Sequence, residues 1–169
     1  SSGSFVIKTA DSGANGVSGA LTFSSGVALD KSSGEILMGT GTSTAGKGGS
    51  IAVTVGTGTS GDGGLITIFA GETSTGAEAN SKGGSIYVDG GYHSGAAAKT
   101  HGGHVDVEGG KDATHTGGYM SLVTGTGESS SSGSFVIKTA DSGANGVSGA
   151  LTFSSGVALD KSSGEILMG

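Results

Sequence analysis

The first 39 residues of this chain, SSGSFVIKTADSGANGVSGALTFSSGVALDKSSGEILMG, recur letter for letter as residues 131–169. The offset is 130 residues, so residues 1–130 form one full period and residues 131–169 begin the next. Identity this complete points to a tandem array of near-identical units and to a stretch of a longer chain. A second period lies inside the first. The segments KGGSIAVTVG (47–56), DGGLITIFAG (62–71), KGGSIYVDGG (82–91), HGGHVDVEGG (101–110) and TGGYMSLVTG (116–125) share one pattern: a glycine pair, then alternating apolar positions. The first apolar position falls at Phe5, Leu21, Ile36, Ile51, Ile66, Ile86, Val105, Met120 and again Phe135. The step is 15 or 16 residues, except where STGAEAN (74–80) and YHSGAAAK (92–99) are inserted. Both insertions read as surface loops.

Alternation with period two is the signature of an extended segment with one apolar face. The expected inward row is Phe5 and Ile7; Leu21 and Phe23; Ile36 and Met38; Ile51, Val53 and Val55; Ile66 and Ile68; Ile86 and Val88; Val105 and Val107; Met120 and Leu122. Two or three apolar side chains cannot hold one such segment by itself, whereas like segments stacked ~4.8 Å apart would share a continuous core. The expected fold class is therefore all-β: a β-solenoid of ~15-residue strand-arc units. Two strands per rung fits better than one triangular turn per unit, because GTGTSGDGG (56–64) brings nothing apolar inward. An antiparallel sandwich suits an open array less well. The glycine pairs at 48–49, 63–64, 83–84, 102–103 and 117–118 suit either a positive φ or close backbone approach.

Composition removes other classes. Glycine fills 38 of 169 positions and proline none, so neither a collagen helix nor a long α-helix is available. Without cysteine there is no disulfide framework and no thiol chemistry. No apolar run reaches the ~20 residues of a membrane span, and no charged n-region with an apolar h-region opens the sequence. The net charge is −6 without a basic stripe, which argues against nucleic acid as a partner.

The search for chemistry yields weak candidates. Gly41–Lys47 matches G-x-x-x-x-G-K, but position 48 is glycine where a phosphate-binding loop needs Ser or Thr, and no helix is expected after it. His104, Asp106 and Glu108 share the outward side of one segment and form a candidate metal cluster, close to His101. Asp62 and Asp89 join Asp106 and Glu108 as calcium candidates, although the calcium β-roll pattern is not reproduced. His93 and His115 complete the histidines. No Ser-His-Asp arrangement or nucleophile elbow is placed, so neither a catalytic role nor a cofactor is expected. Tyr87, Tyr119, Leu37, Phe69 and Val123 are expected outward, with Tyr92 nearby, as candidates for lateral packing. No N-x-S/T sequon occurs; the many Ser and Thr hydroxyls are acceptors for O-linked sugar.

The pattern GGSIxVxxGxGTSxxGG resembles the Gly/Ser/Thr-rich tandem repeats of large cell-surface and extracellular proteins of algae and other stramenopile protists. That resemblance implies a fibrous, adhesive or coat-forming protein outside the cell. Thr40-Gly-Thr42, Thr57-Gly-Thr59 and Thr124-Gly-Thr126 are also similar to the Thr-x-Thr ladder of insect-type ice-binding solenoids, which the Ser, Asp, Glu and Gly at 24–26, 89–91 and 108–110 interrupt. The expectation is a structural protein, the shaft or wall of an extracellular filament. Its partners would be copies of itself, joined head to tail and laterally. The alternative is an adhesin stalk or an ice-binding module.

Overall fold

A computed structural model describes residues 2–74, 81–95 and 100–169. Residues 75–80 and 96–99, which make up most of the two insertions, lie outside the described residues. The chain divides into two units, Ser1–Ile86 and Tyr87–Gly169.

The expected all-β solenoid is not what the chain adopts. Among the described residues there is no β-strand and no helix, only short turns and bends. The accessible surface is 17010 Å². A compact chain of 15.9 kDa would expose about 7,400 Å², and a fully unfolded one about 23,000 Å². Among the described residues no hydrophobic side chain is buried. The residues expected to form the ladder core are all exposed: Phe5, Ile7, Leu21, Phe23, Ile36, Met38, Ile51, Val53, Val55, Ile66, Ile68, Ile86, Val88, Val105, Val107, Met120 and Leu122. The two-strands-per-rung geometry goes with the solenoid, since it needs strands.

The physical reason lies in the joints between segments. A ladder requires consecutive backbone hydrogen bonds along neighbouring segments. Here the backbone bonds between segments lie at four places where the chain returns from its loop. Gly84 N–H donates to Gly71 O at 2.9 Å, Gly103 to Gly91 at 2.8 Å, Gly118 to Gly110 at 2.8 Å, and Gly133 to Gly125 at 2.9 Å. The remaining backbone–backbone bonds among the described residues close two identical tight turns, Gly16 N to Gly13 O and Gly146 N to Gly143 O, each 3.1 Å. A single bond per joint does not propagate into a ladder. Each segment offers too little apolar area to offset the ordering of about fifteen residues rich in glycine.

The joints recur with the sequence period. Gly49 approaches Thr40, Gly64 approaches Val55, Gly84 approaches Ala70 and Gly71, and Gly103 and Gly118 approach Gly91 and Gly110. A Cβ on Gly103 would stand 2.8 Å from Gly91 N, and one on Gly109 would stand 2.6 Å from Gly118 O. The glycine pairs therefore serve close backbone approach, chiefly through the second member. Among the described residues the one glycine of positive φ is Gly61, at 76°, in the bend at 59–61. Thr40 Oγ1 donates to Gly49 O at 3.4 Å and Thr73 Oγ1 to Lys82 O at 2.9 Å, so hydroxyls reinforce two joints. The joints 71–84 and 91–103 close even though each carries an insertion.

Alternation of exposure survives without strands. At the first inward position of the segments, exposure lies between 50% and 57% at Leu21, Ile36, Ile51, Ile66, Ile86, Val105, Met120, Leu151 and Ile166, with Phe135 at 58% and Phe5 apart at 88%. Their outward neighbours are more open: Leu37, Phe69, Tyr87, Tyr119 and Val123 are all at 85% or above. That difference is what an extended chain with two unlike faces produces.

Candidate functional site

The most extensive feature is a strip of inward side chains, half exposed and repeated at every segment. It carries no charge. Lys8, Glu35, Asp89, His104, Asp106, Glu108, Lys138 and Glu165 all occupy outward positions in the alternation. In the first unit Phe23, Ile36 and Met38 of the strip, together with the outward Leu37, line an open hollow of about 240 Å³. The hollow is apolar, shallow and without a titratable group, so it holds nothing that could act as an acid, a base or a nucleophile.

The polar candidates sit on the outward side. His104 Nε2 lies 3.2 Å from Asp106 Oδ2, with both side chains largely in water. The structure thus brings together two of the three residues of the candidate metal cluster. Glu108 is not gathered with them: among the described residues no three His, Asp or Glu side chains converge on a point that would hold a metal ion. Asp62 and Asp89 likewise belong to no such group. Tyr87, Tyr92, Tyr119, Leu37, Phe69 and Val123 are strongly exposed.

In the Gly41–Lys47 stretch, Gly46 N–H donates to Ser43 Oγ at 3.0 Å, closing a hydroxyl-capped turn. The described residues that follow include no helix, so a phosphate cradle built on a helix N-terminus is not formed.

Sequence reasoning passed over one polar cluster, in the loop of the 110–118 joint. Asp112 Oδ1 accepts hydrogen bonds from Thr114 N at 2.8 Å and His115 N at 2.5 Å. Thr114 Oγ1 lies 3.5 Å from the same oxygen and 2.7 Å from His115 Nδ1, which itself lies 3.5 Å from Asp112 Oδ1. The Thr114 and His115 backbone N–H groups hold the Asp112 carboxyl below its usual range. The signal was the Asp-Ala-Thr-His order itself, since Asp readily bonds backbone two and three residues ahead. The cluster is a surface loop clasp, with His115 largely in water and Asp112 about half covered.

No protein-family model, curated protein or solved structure matches the chain. Among the described residues no helix is long and apolar enough to cross a membrane.

Proposed function

We propose that this chain is a structural protein, a stretch of a tandem array that builds the shaft or wall of an extracellular or cell-surface filament, with copies of itself as partners. One observation carries this reading. The two identical stretches, 1–39 and 131–169, both leave all of their large apolar side chains exposed to solvent. A chain with no interior of its own acquires one from its neighbours, and a repeat guarantees that every neighbour is alike. Contiguous exposed apolar surface is the mark of a contact surface. Heterologous contact between identical units does not close on itself and so yields fibres. The resemblance to algal and stramenopile surface repeats points the same way. No catalytic role and no cofactor form part of the proposal.

An ice- or surface-binding role through Thr side chains has less behind it. Thr40 spends its hydroxyl on Gly49 O, and Thr124 is half-buried against Gly133.

The test is negative-stain electron microscopy of this chain and of an array of three full periods, over a range of concentrations. Filaments whose length grows with concentration or with period number are expected. Monodisperse single molecules under all conditions would overturn the proposal.

A further inference from the structure

Resting on that structural reading, we infer that the inward strip is the mating face, and that its occupant is the inward strip of a second copy of the same repeat. Three features of the chain select this partner.

The first is charge. Within the apolar segments every ionisable side chain stands outward, among them Asp89, Asp106 and Glu108. Two copies meeting outward face to outward face would set these carboxylates against their own kind, in a chain whose net charge is −6. Like charges juxtaposed in an interface are strongly unfavourable. Inward faces meeting each other bring no charge together.

The second is spacing. The joints at Gly71–Gly84 and Gly91–Gly103 are hydrogen-bonded although an insertion lies between their ends in sequence, as the joints without insertions at Gly110–Gly118 and Gly125–Gly133 are. A surface that buries successive inward pairs must repeat as the segments do. Another copy of the repeat does so by construction, and in an array it is tethered at high effective concentration.

The third is area. A Val, Leu or Ile side chain offers roughly 60–120 Å² of burial, and the inward side chains retain about half to three quarters of their exposure. The inward residues of the Ser1–Ile86 unit alone then present roughly 400–900 Å². A stable interface takes about 800 Å² from each partner. Because the strip repeats along the array, two copies can pair with a stagger, so that the contact propagates along a filament and does not close on itself.

Sedimentation equilibrium on the full chain tests this with two charge-matched variants. One carries Ile51→Lys and Ile66→Lys on the inward strip. The other carries Ala52→Lys and Thr67→Lys, the outward neighbours. Exchange at the Gly84 and Gly103 amides, measured in both, checks that the joints persist. Self-association of the unaltered chain is expected, weakened about tenfold or more by the inward pair and unchanged by the outward pair. Association weakened by the outward pair, or by neither, overturns the face assignment while leaving the filament reading in place. A chain that stays single at every concentration overturns both. Binding of the inward strip to phosphatidylcholine vesicles in preference to other copies would identify a lipid surface as its occupant and overturn the inference.

Discussion

Phe5 and Phe135 occupy the same position in two identical stretches of sequence, yet Phe5 is 88% exposed and Phe135 58%. What differs is the neighbour. Phe135 follows a joint in which Gly133 N–H bonds Gly125 O and Gly133 lies against Thr124. Phe135 is sheltered by the segment that precedes it, which is nearest-neighbour coupling of the kind repeat arrays use.

This sheltering is measurable with a single probe, because the chain has no tryptophan. Phe135→Trp is expected to emit at shorter wavelength and to be quenched less by acrylamide than Phe5→Trp. Indistinguishable spectra would mean that neighbouring segments do not cover one another.

At the 63–64, 83–84 and 102–103 pairs the second glycine makes the close contact and the first does not. In Gly103→Ala the new Cβ would meet Gly91 N at 2.8 Å and force the joint open. In Gly63→Ala it meets nothing within 4 Å. The lost joint bond is worth about 0.5–1.5 kcal/mol. Faster hydrogen exchange at the position-103 amide is therefore expected in Gly103→Ala, by roughly three- to tenfold. No change is expected at the position-84 amide in Gly63→Ala.

Much of this organisation was legible in the residues. The alternation of Ile66, Thr67 and Ile68 is plain in the residues, although all three are exposed. The glycine pairs marked the joints, and the close-approach reading of them is the one realised at Gly84, Gly103 and Gly118. What the residues did not disclose was whether neighbouring segments close into a ladder. Periodicity specifies faces, but ladder formation depends on whether burial along the whole stack outweighs the ordering of a glycine-rich chain, and that balance is collective. The metal cluster fell short for a local reason: His104 leans onto Asp106, and Glu108, a further step along the outward row, is not gathered with them. The Asp112 clasp depended on short-range turn chemistry that hydrophobic patterning does not register.

That clasp has a pH signature. Hydrogen bonds from the Thr114 and His115 backbone hold the folded Asp112 carboxyl below its ordinary value of about 3.9. Its contribution is thus fully present above that ordinary value and is lost as pH falls through the lower folded value. The Thr114 and His115 amide resonances are expected to hold steady down to about pH 4 and to shift below it. In Asp112→Asn that acid transition should vanish. An unchanged transition in the variant would assign it to another group.

A single copy without a core should also lack a cooperative transition. Thermal or urea unfolding at low concentration is expected to be broad, with a slope well under the ~1–3 kcal/mol/M of small compact proteins, because little surface remains to be exposed. The transition should sharpen as concentration rises. A sharp, concentration-independent transition would contradict this.

The most direct measurement of the central claim, that this chain acquires its interior from copies of itself, is amide hydrogen exchange over residues 51–55, 66–69 and 104–108 at low and high protein concentration. The account predicts near-random-coil exchange in dilute solution and protection that rises with concentration at all three segments together. Strong protection already present at high dilution and indifferent to concentration would contradict it.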